Sequence, residues 1–305
     1  MSEHPSSPGP ARADSCRELC LRGGEPLVGS AAPTPFWIAL SWPKPRWHPD
    51  KALLSDGLPE SLRQLEKEVA RTGQKLGFRL FQRGTTTSTE RVELVLWRAG
   101  AAFGAREVAL EQSAEIIRAF VAGERPEGTE PLGRELFVCT DGKHDACCAS
   151  HGYALYTALR DELARRGAAV RVAECSHLGG HRFAATCAAL PAGELYGRLE
   201  PADVPALIDA VVRGEVLLPR FRGRLGRSEL AQIAESMVRE RTRHGGAIEV
   251  LDTRQEDTRA WVSVRLDDGR SFATHCEQRS YHGPGSCGEA PGVEKRWVAL
   301  DLHEQ

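Results

Sequence analysis

The sequence predicts an α/β protein that ends in a smaller region rich in strands. Three observations predict this class. Apolar runs typical of buried strands alternate with segments of helical spacing up to about residue 214. A basic loop and one further helix follow, and residues 247–300 contain four strand-like runs separated by turn signals. The length of 305 residues allows two domains or one large domain.

Composition excludes several classes of protein. Hydrophobic residues make up 41% and charged residues 27%, which is ordinary for a soluble globular chain. The formal net charge is −2 and no long basic or acidic block occurs, so we expect neither nucleic acid nor an anionic membrane as a partner. No apolar run approaches the length of a membrane span, and the polar N-terminus lacks the apolar stretch of a signal peptide. These features predict a cytoplasmic protein.

The first part of the chain predicts a leader followed by an N-terminal α/β portion. Residues 1–25 begin with a polar stretch rich in Ser and Pro, which is typical of a disordered leader. Within the α/β portion, residues 26–130, the run 36–42 predicts a buried strand and 61–72 has apolar residues at helical spacing. Two strand-like runs follow, and residues 107–121 predict a strand and then a helix.

The second part, residues 131–218, predicts another set of alternating strands and helices. A strand over 134–140 runs into a polar loop, and a helix from about residue 149 ends at Gly167. Another strand leads to a hairpin with Pro191 at its turn, and a helix then ends at Gly214.

The last part, residues 219–305, predicts one helix and a small strand-rich region. Ser228 is a candidate N-cap for the helix, which extends to about Arg243. The dipeptide of Asp268 and Gly269 indicates a hairpin turn between two of the strands that follow.

Cysteine and histidine are concentrated in one segment. The odd count of nine cysteines without a secretion signal favours metal binding or redox chemistry over a disulfide framework. Cys139 ends a predicted strand, Cys148 lies where a loop enters a helix, and His177 and His181 follow the next strand. Because the loops after successive parallel strands project from one edge of a sheet, we expect these four side chains to converge.

The residue types fit a two-iron cluster or a zinc ion. Two Cys on one iron and two His on the other is the Rieske-type ligand set, and neutral imidazole in place of thiolate raises the reduction potential. Cys2His2 is also a zinc set, although a gap of eight residues between the cysteines is long for zinc. Gly179 and Gly180 allow a tight turn and a close approach of the backbone to a bulky cluster.

The same residues resemble a known family. The sequences ELFVCT, AECSHLGGH and LPAGELYGRLEPADVPALI are similar to the thioredoxin-like [2Fe–2S] ferredoxins. The His-x-Gly-Gly-His motif resembles the sucrase/ferredoxin-like family, which includes fungal actin-patch-distribution proteins. GSAAPTPFWIALSWP and ALLSDGLP resemble the N-terminal part of that family. The resemblance implies a thioredoxin-like ferredoxin domain over residues 131–218.

It also implies the cofactor, a [2Fe–2S] cluster held by Cys139, Cys148, His177 and His181. Cys147 is adjacent to Cys148 and could be the ligand by chemistry alone, but the spacing of the family motif favours Cys148. No carboxylate pair of the kind used in glycoside hydrolysis supports a sucrase activity.

The predicted function is electron transfer between a reductase and an unknown acceptor, rather than catalysis. Histidine ligation predicts a reduction potential that depends on pH. The alternatives are a thioredoxin-like thiol–disulfide oxidoreductase that uses Cys147 or Cys148, and a zinc-stabilised binding module. Expected neighbours of the cluster are Cys147, Gly179, Gly180, His144, His151 and Lys143.

Other cysteines and a basic run are expected to be incidental. Cys16 and Cys20 lie in the predicted leader, where a second metal site would lack partners. Cys276 and Cys287 flank a segment predicted to be a flexible loop. The basic run predicts a solvated face that could alternatively dock an acidic electron donor or close over the cluster; its members are Arg220, Arg222, Arg224 and Arg227.

Overall fold

The computed structural model describes residues 15–84 and 88–305. The strands are β1 (Phe36–Ser41), β2 (Leu76–Gln82), β3 (Arg91–Arg98), β4 (Ala101–Ala109), β5 (Glu130–Pro131), β6 (Arg134–Cys139), β7 (Val170–Cys175), β8 (Cys187–Leu190), β9 (Glu194–Tyr196), β10 (Phe221–Arg224), β11 (Ile248–Glu256), β12 (Arg259–Leu266), β13 (Ser271–Gly283) and β14 (Gly292–Glu304). The α-helices are α1 (Cys16–Arg22), α2 (Glu60–Arg63), α3 (Leu65–Ala70), α4 (Leu110–Val121), α5 (Tyr153–Arg166), α6 (Val204–Arg213) and α7 (Glu229–Thr242). The predicted α/β class is confirmed.

Ten strands form one mixed sheet in the order β10-β9-β8-β6-β7-β2-β1-β3-β4-β5. The two predicted α/β portions therefore share a sheet, which is continuous because β2 pairs with β7 in antiparallel orientation. At this junction Phe81 lies opposite Cys175. The division of the chain into domains at residues 130 and 218 stays a prediction.

The centre of the sheet is buried on both faces. In β1, Ile38 and Leu40 belong to the core on one face, whereas Trp37 and Ala39 belong to the core on the other. A strand covered on both sides is apolar at every position rather than at alternate ones, which explains the continuous run in the sequence.

The predicted helix ends of the second portion are confirmed. α5 ends at Gly167 and α6 at Gly214, and both glycines adopt left-handed backbone conformations, with φ of 59° and 71°. The Ser228 hydroxyl accepts a hydrogen bond from the backbone N–H of Ala231 at 3.3 Å and so caps α7. The hairpin of β8 and β9 turns at Pro191, as predicted.

The C-terminal strands β11 to β14 form a separate antiparallel sheet with a predicted turn at Gly269. One face of this sheet packs on α7, where Ile233 and Val238 meet Val262 and Trp297. The loop between β13 and β14 reaches back to the ten-stranded sheet and contributes to the site described below.

The predicted leader contains a helix in its described part. Residues 1–14 lie outside the described residues, but α1 begins at Cys16 and is fixed by a capping box between Ser15 and Glu18. Cys16 and Cys20 are both buried. The capping signal at Ser15 and Glu18 directly follows the polar stretch rich in Ser and Pro, so composition alone predicts no helix there.

Within residues 15–84 and 88–305, no helix has the length and apolar character needed to cross a membrane.

Candidate metal centre

The centre lies at the carboxyl ends of β6 and β7. These strands are parallel neighbours with Cys139 opposite Cys175, so the chain leaves both of them at one edge of the sheet. Cys139 is the last residue of β6, and His177 lies two residues beyond the end of β7. Cys148 begins a π-helical turn that leads into α5. The sulfurs of Cys139 and Cys148 and a ring nitrogen of His177 all lie within 4.8 Å of one another.

A glycine allows the helical turn to approach the strand. A Cβ atom on Gly152 would lie 1.9 Å from the carbonyl oxygen of Cys139, far inside a normal contact. Only glycine therefore permits the backbone after Cys148 to pass so close to the end of β6. This contact places the two cysteines, which have eight residues between them in the sequence, side by side.

His181 lies at the site through its proximity to His177. Ring nitrogens of His144, His177 and His181 form a second group within 4.8 Å, and His177 belongs to both groups. The ring centroids of His177 and His181 are 5.2 Å apart, and His144 stacks on His177 at 3.7 Å. The structure therefore brings the four predicted ligands together and places His144, an expected neighbour, directly against them.

The histidines have unpartnered nitrogen atoms. The Nδ1 atoms of both His177 and His181 are buried and lack a hydrogen-bond partner among the described residues. The Nε2 atom of His181 contacts the backbone carbonyl oxygen of Gly285, from the loop between β13 and β14. A proton on Nε2 that is donated to this carbonyl leaves the lone pair of Nδ1 available to a metal. The donor set of the site thus fits a metal group.

Two glycines lie between His177 and His181, in the segment called the histidine loop here. Both the backbone conformation and a buried arginine require glycine at these positions. Gly179 and Gly180 have positive φ values of 85° and 73°. A Cβ on Gly180 would lie 2.4 Å from Nη2 of Arg222. The guanidinium of Arg222 donates a hydrogen bond to the carbonyl oxygen of Gly179 at 2.9 Å. Gly180 therefore leaves the space that the guanidinium of Arg222 occupies against the loop.

The basic run is not a solvated face. Arg222 is only 2% exposed and binds the histidine loop, which agrees with the alternative that the run closes over the site. The other members form ion pairs within the chain: Arg220 with Asp203, Arg224 with Glu194 and Glu235, and Arg227 with Glu235. The prediction of a solvated face was wrong because β10 carries Arg222 onto the histidine loop and Arg224 onto α7, while Arg220 and Arg227, on either side of the strand, pair with nearby carboxylates.

An ion-pair cluster holds the residue after His181. Arg182 donates two hydrogen bonds to Glu25, at 2.7 and 2.9 Å, and Arg296 of β14 donates a third at 2.8 Å. Burial alone raises the pKa of Glu25, but the hydrogen bonds from the two arginines outweigh it and hold the pKa below its ordinary value. The histidine loop is thereby tied to the N-terminal segment and to the C-terminal sheet.

The two buried cysteines differ in how readily they ionise. A hydrogen bond from Cys148, followed by contact with His177, lowers the pKa of Cys139 despite complete burial. The same bond to Cys139 and burial raise the pKa of Cys148. The two thiols can therefore share one negative charge, and a bound cation is needed to hold both as thiolates. Burial lowers the pKa of His181, which favours the neutral ring that binds metals.

The adjacent cysteines face different groups. Cys148 lies with Cys139 and His177, whereas Cys147 lies with Cys16, Cys287 and Asp145. A metal site at Cys16 was expected to lack partner ligands. This expectation was wrong because α1 and the loop after β13 both pack against the cysteine loop, which is the segment between Cys139 and Cys148. Neither the sequence separation nor the local composition signals this contact.

The remaining candidates lie elsewhere. Lys143 donates to the carbonyl oxygens of Pro45 and Trp47, at 2.7 and 3.1 Å, instead of facing the cysteines. His151 belongs to none of the His and Cys groups found among the described residues. Cys276 is buried within β13, and this strand extends to Gly283 into the segment predicted to be a flexible loop.

Comparisons with known proteins agree with the resemblance seen in the sequence. A family model described as sucrase/ferredoxin-like matches residues 27–223, which is more than half of the chain. The protein "Altered inheritance of mitochondria protein 32" of Debaryomyces hansenii is 29% identical over 101 residues, which cover 31% of this chain and 37% of that protein. The match thus spans little more than a third of that relative.

Solved structures with similarity include the thioredoxin-like [2Fe–2S] ferredoxin from Aquifex aeolicus. It shares 14% identity at a TM-score of 0.27, with 30% of this chain and 91% of that chain covered. Its Cys59Ser variant gives 14% identity and a TM-score of 0.26, with 29% and 96% covered. On the extent of the family match, the chain belongs to the sucrase/ferredoxin-like family.

Proposed function

We propose that the protein binds one [2Fe–2S] cluster through Cys139, Cys148, His177 and His181 and serves in electron transfer. The observation that carries the proposal is the arrangement of ligand atoms at the end of β6 and β7. Two buried sulfurs lie next to His177, and the Nδ1 atoms of both histidines are buried without a partner among the described residues. Unpaired buried nitrogen atoms are costly unless a ligand satisfies them.

The spread of the four side chains favours two iron atoms over one zinc ion. In a tetrahedral zinc site every pair of ligand atoms lies about 3.3–3.8 Å apart, given bond lengths of 2.0–2.3 Å. Among the described residues, His181 does not join the group that His177 forms with the two cysteines within 4.8 Å. In the Rieske-type arrangement the cysteine pair and the histidine pair bind different irons, so such a separation is expected.

The two halves of the site differ in solvent exposure. Cys139 and Cys148 are each only 1% exposed, whereas His177 and His181 are half-buried. His177 also borders an open cavity lined by His48 and Arg79. We infer that a redox partner, a reductase as donor or an unknown protein as acceptor, approaches from the histidine side.

When bound, the [2Fe–2S] group supplies the capacity to take up and release one electron. The polypeptide supplies the ligands, their orientation and a proton at Nε2. For His181 that proton faces the carbonyl oxygen of Gly285. None of the nine cysteines, all within the described residues, forms a disulfide, which fits a reducing compartment, and we propose a cytoplasmic location.

Iron, acid-labile sulfide and zinc should be measured in the protein purified without oxygen. We expect about two irons and two sulfides per chain and a paramagnetic signal on reduction. Replacing His177 and His181 by Cys should retain a cluster of lower potential, because thiolate adds negative charge. His144→Ala is the matched control: it removes an imidazole that stacks on His177 but leaves the four ligands intact. Colourless, iron-free protein that cannot be reconstituted would contradict the proposal, and zinc bound by these four residues would show a zinc-stabilised module instead.

The reduction potential should fall as pH rises through the imidazole pKa values of the oxidised cluster. Oxidation makes the ligand imidazoles more acidic, so electron uptake is then coupled to proton uptake at Nε2. Electrochemical titration between about pH 6 and pH 10 measures this dependence, and His144→Ala should leave its slope unchanged. A potential that stays flat over this interval would argue against histidine ligation.

A further inference from the structure

Three cysteine sulfurs from distant parts of the chain meet beside the proposed cluster site. The Sγ atoms of Cys16 and Cys147 are 3.5 Å apart, those of Cys147 and Cys287 are 3.3 Å apart, and those of Cys16 and Cys287 are 3.5 Å apart. Cys16 begins α1, Cys147 lies just before the π-helical turn, and Cys287 lies between β13 and β14. The three sulfurs therefore form a nearly equilateral triangle.

A carboxylate completes the group. Oδ1 of Asp145 lies 3.9 Å from the sulfur of Cys16 and accepts a hydrogen bond from the backbone N–H of Cys147 at 2.8 Å. Its Oδ2 atom accepts hydrogen bonds from the Ser286 hydroxyl at 3.0 Å and from the backbone N–H of Cys287 at 2.9 Å. The carboxylate is thus held in place by the same two loops that supply two of the sulfurs.

We propose that Cys16, Cys147, Cys287 and Asp145 form a structural zinc site. Tetrahedral zinc with Zn–S bonds of about 2.3 Å places its sulfur ligands about 3.8 Å apart, close to the distances seen here. A disulfide would join two of the sulfurs at about 2.05 Å and leave the third without a role. Thiolates bound to different irons of a cluster lie farther apart than thiolates that share one ion. The triangle therefore fits a single ion.

The charge of the group leads to the same assignment. Cys16, Cys147 and Asp145 are 1%, 2% and 4% exposed, and Cys287 is half-buried. Three thiolates and a carboxylate in this place are costly without a cation. Binding releases one proton from each thiol to solvent: Zn²⁺, three thiols and the carboxylate give the four-coordinate complex and three protons. No oxidant or reductant is involved.

The site connects three segments around the proposed cluster. Cys147 is followed directly by Cys148, and the loop that carries Cys287 also contributes the carbonyl of Gly285 to His181. Zinc would therefore fasten α1 and the C-terminal hairpin onto the cysteine loop. The four zinc ligands are separate from the four proposed cluster ligands, so this inference does not depend on the presence of iron.

Metal analysis of the full chain, purified from zinc-supplied cells, tests the site. We expect one zinc per chain, and X-ray absorption at the zinc edge should show three sulfur ligands and one oxygen ligand. Cys16→Ser and Cys287→Ser should each lose zinc while the iron content is retained. Cys20→Ser is the matched control, since Cys20 is a buried cysteine of the same helix outside the group, and it should keep its zinc.

A second measurement uses the unmodified protein, in case the variants fail to fold. Alkylation followed by peptide mass spectrometry should find Cys16, Cys147 and Cys287 protected, and a zinc chelator should expose all three together. Protein without zinc, a disulfide between any two of them, mononuclear iron in the group, or zinc bound by histidine would overturn the proposal. An iron-free protein that keeps one zinc after Cys139→Ser, but loses it after Cys16→Ser, would support the zinc site while refuting the cluster.

Discussion

Replacing Arg222 by Met should destabilise the protein and loosen the histidine loop. Arg222 is fully enclosed, and no carboxylate forms an ion pair with it in the described structure. Its guanidinium donates to the carbonyl oxygen of Gly179 at 2.9 Å, to the Ser30 hydroxyl at 3.0 Å and to the Ser30 carbonyl oxygen at 2.7 Å. It also lies 5.4 Å from the ring centre of Phe183. Met fills a similar volume but makes none of these polar contacts.

Two opposing contributions set the size of the stability loss expected for Arg222→Met. A hydrogen bond from a charged donor contributes about 1.5–3 kcal/mol, so three bonds contribute roughly 4.5–9 kcal/mol. Burial, followed by repulsion from Arg182 and Arg296, lowers the pKa of Arg222 from its ordinary value to about 10. This lowering corresponds to a cost of about 3 kcal/mol for burying the charged guanidinium. The uncharged Met side chain would not have this cost. Because Gly179 and Ser30 are half-buried and their freed oxygens can bind water, we expect a net loss of roughly 2–5 kcal/mol.

Urea unfolding of the protein purified without oxygen, followed by tryptophan fluorescence, measures this loss. In protein that holds the proposed cluster, a chelator should also remove iron faster, since the loop that carries His177 and His181 loses one of its anchors. Arg265→Met is the control: Arg265 pairs with Glu249 at 2.9 Å on an exposed strand, so its loss should cost less than about 1 kcal/mol. If R222M unfolded within about 1 kcal/mol of the wild type and released iron no faster, the reasoning about this buried arginine would be refuted.

Two further predictions concern the packing and the charge around the site. Gly152→Ala should lower the free energy of unfolding by about 3 kcal/mol or more, because its Cβ would lie 1.9 Å from the Cys139 carbonyl oxygen. The control is Gly133→Ala, whose Cβ meets nothing within 4 Å and which should be nearly neutral. Equal stabilities of the two variants would contradict the close approach at Gly152. Glu25→Gln should flatten the loss of stability in acid. The lowered pKa of Glu25 means that its ionised form stabilises the protein above the unfolded pKa of about 4.5, and that this stabilisation disappears as pH falls through the folded pKa. Unfolding curves from about pH 3 to pH 7 should therefore converge for the wild type and E25Q at the acid end, and parallel curves would show that the arginine contacts are not formed.

Much of the fold and of the candidate metal centre could be predicted from local sequence. The apolar run of β1, the cap at Ser228 and the stop at Gly167 are signals within a few residues, and each is seen in the structure. The convergence of Cys139 with His177 was predictable too, since it needs only two adjacent parallel strands. What the motif could not supply is the atom-level fit, such as the contact of His181 Nε2 with Gly285, because that partner lies 104 residues away.

The sequence by itself determined the α/β class and the helix ends, because periodicity and capping act over short distances along the chain. Strand-end position indicated the residues expected to hold the proposed cluster, and the resemblance to the family motif favoured Cys148 over Cys147. Only the tertiary structure decided which way the adjacent thiols face. Cys148 turns to Cys139, whereas Cys147 turns to Cys16 and Cys287, 131 and 140 residues away. The same holds for Arg222, whose charge predicts solvent and whose strand position places it in the interior. Long-range packing sets these contacts, and side-chain type alone carries no information about the partner that packing brings.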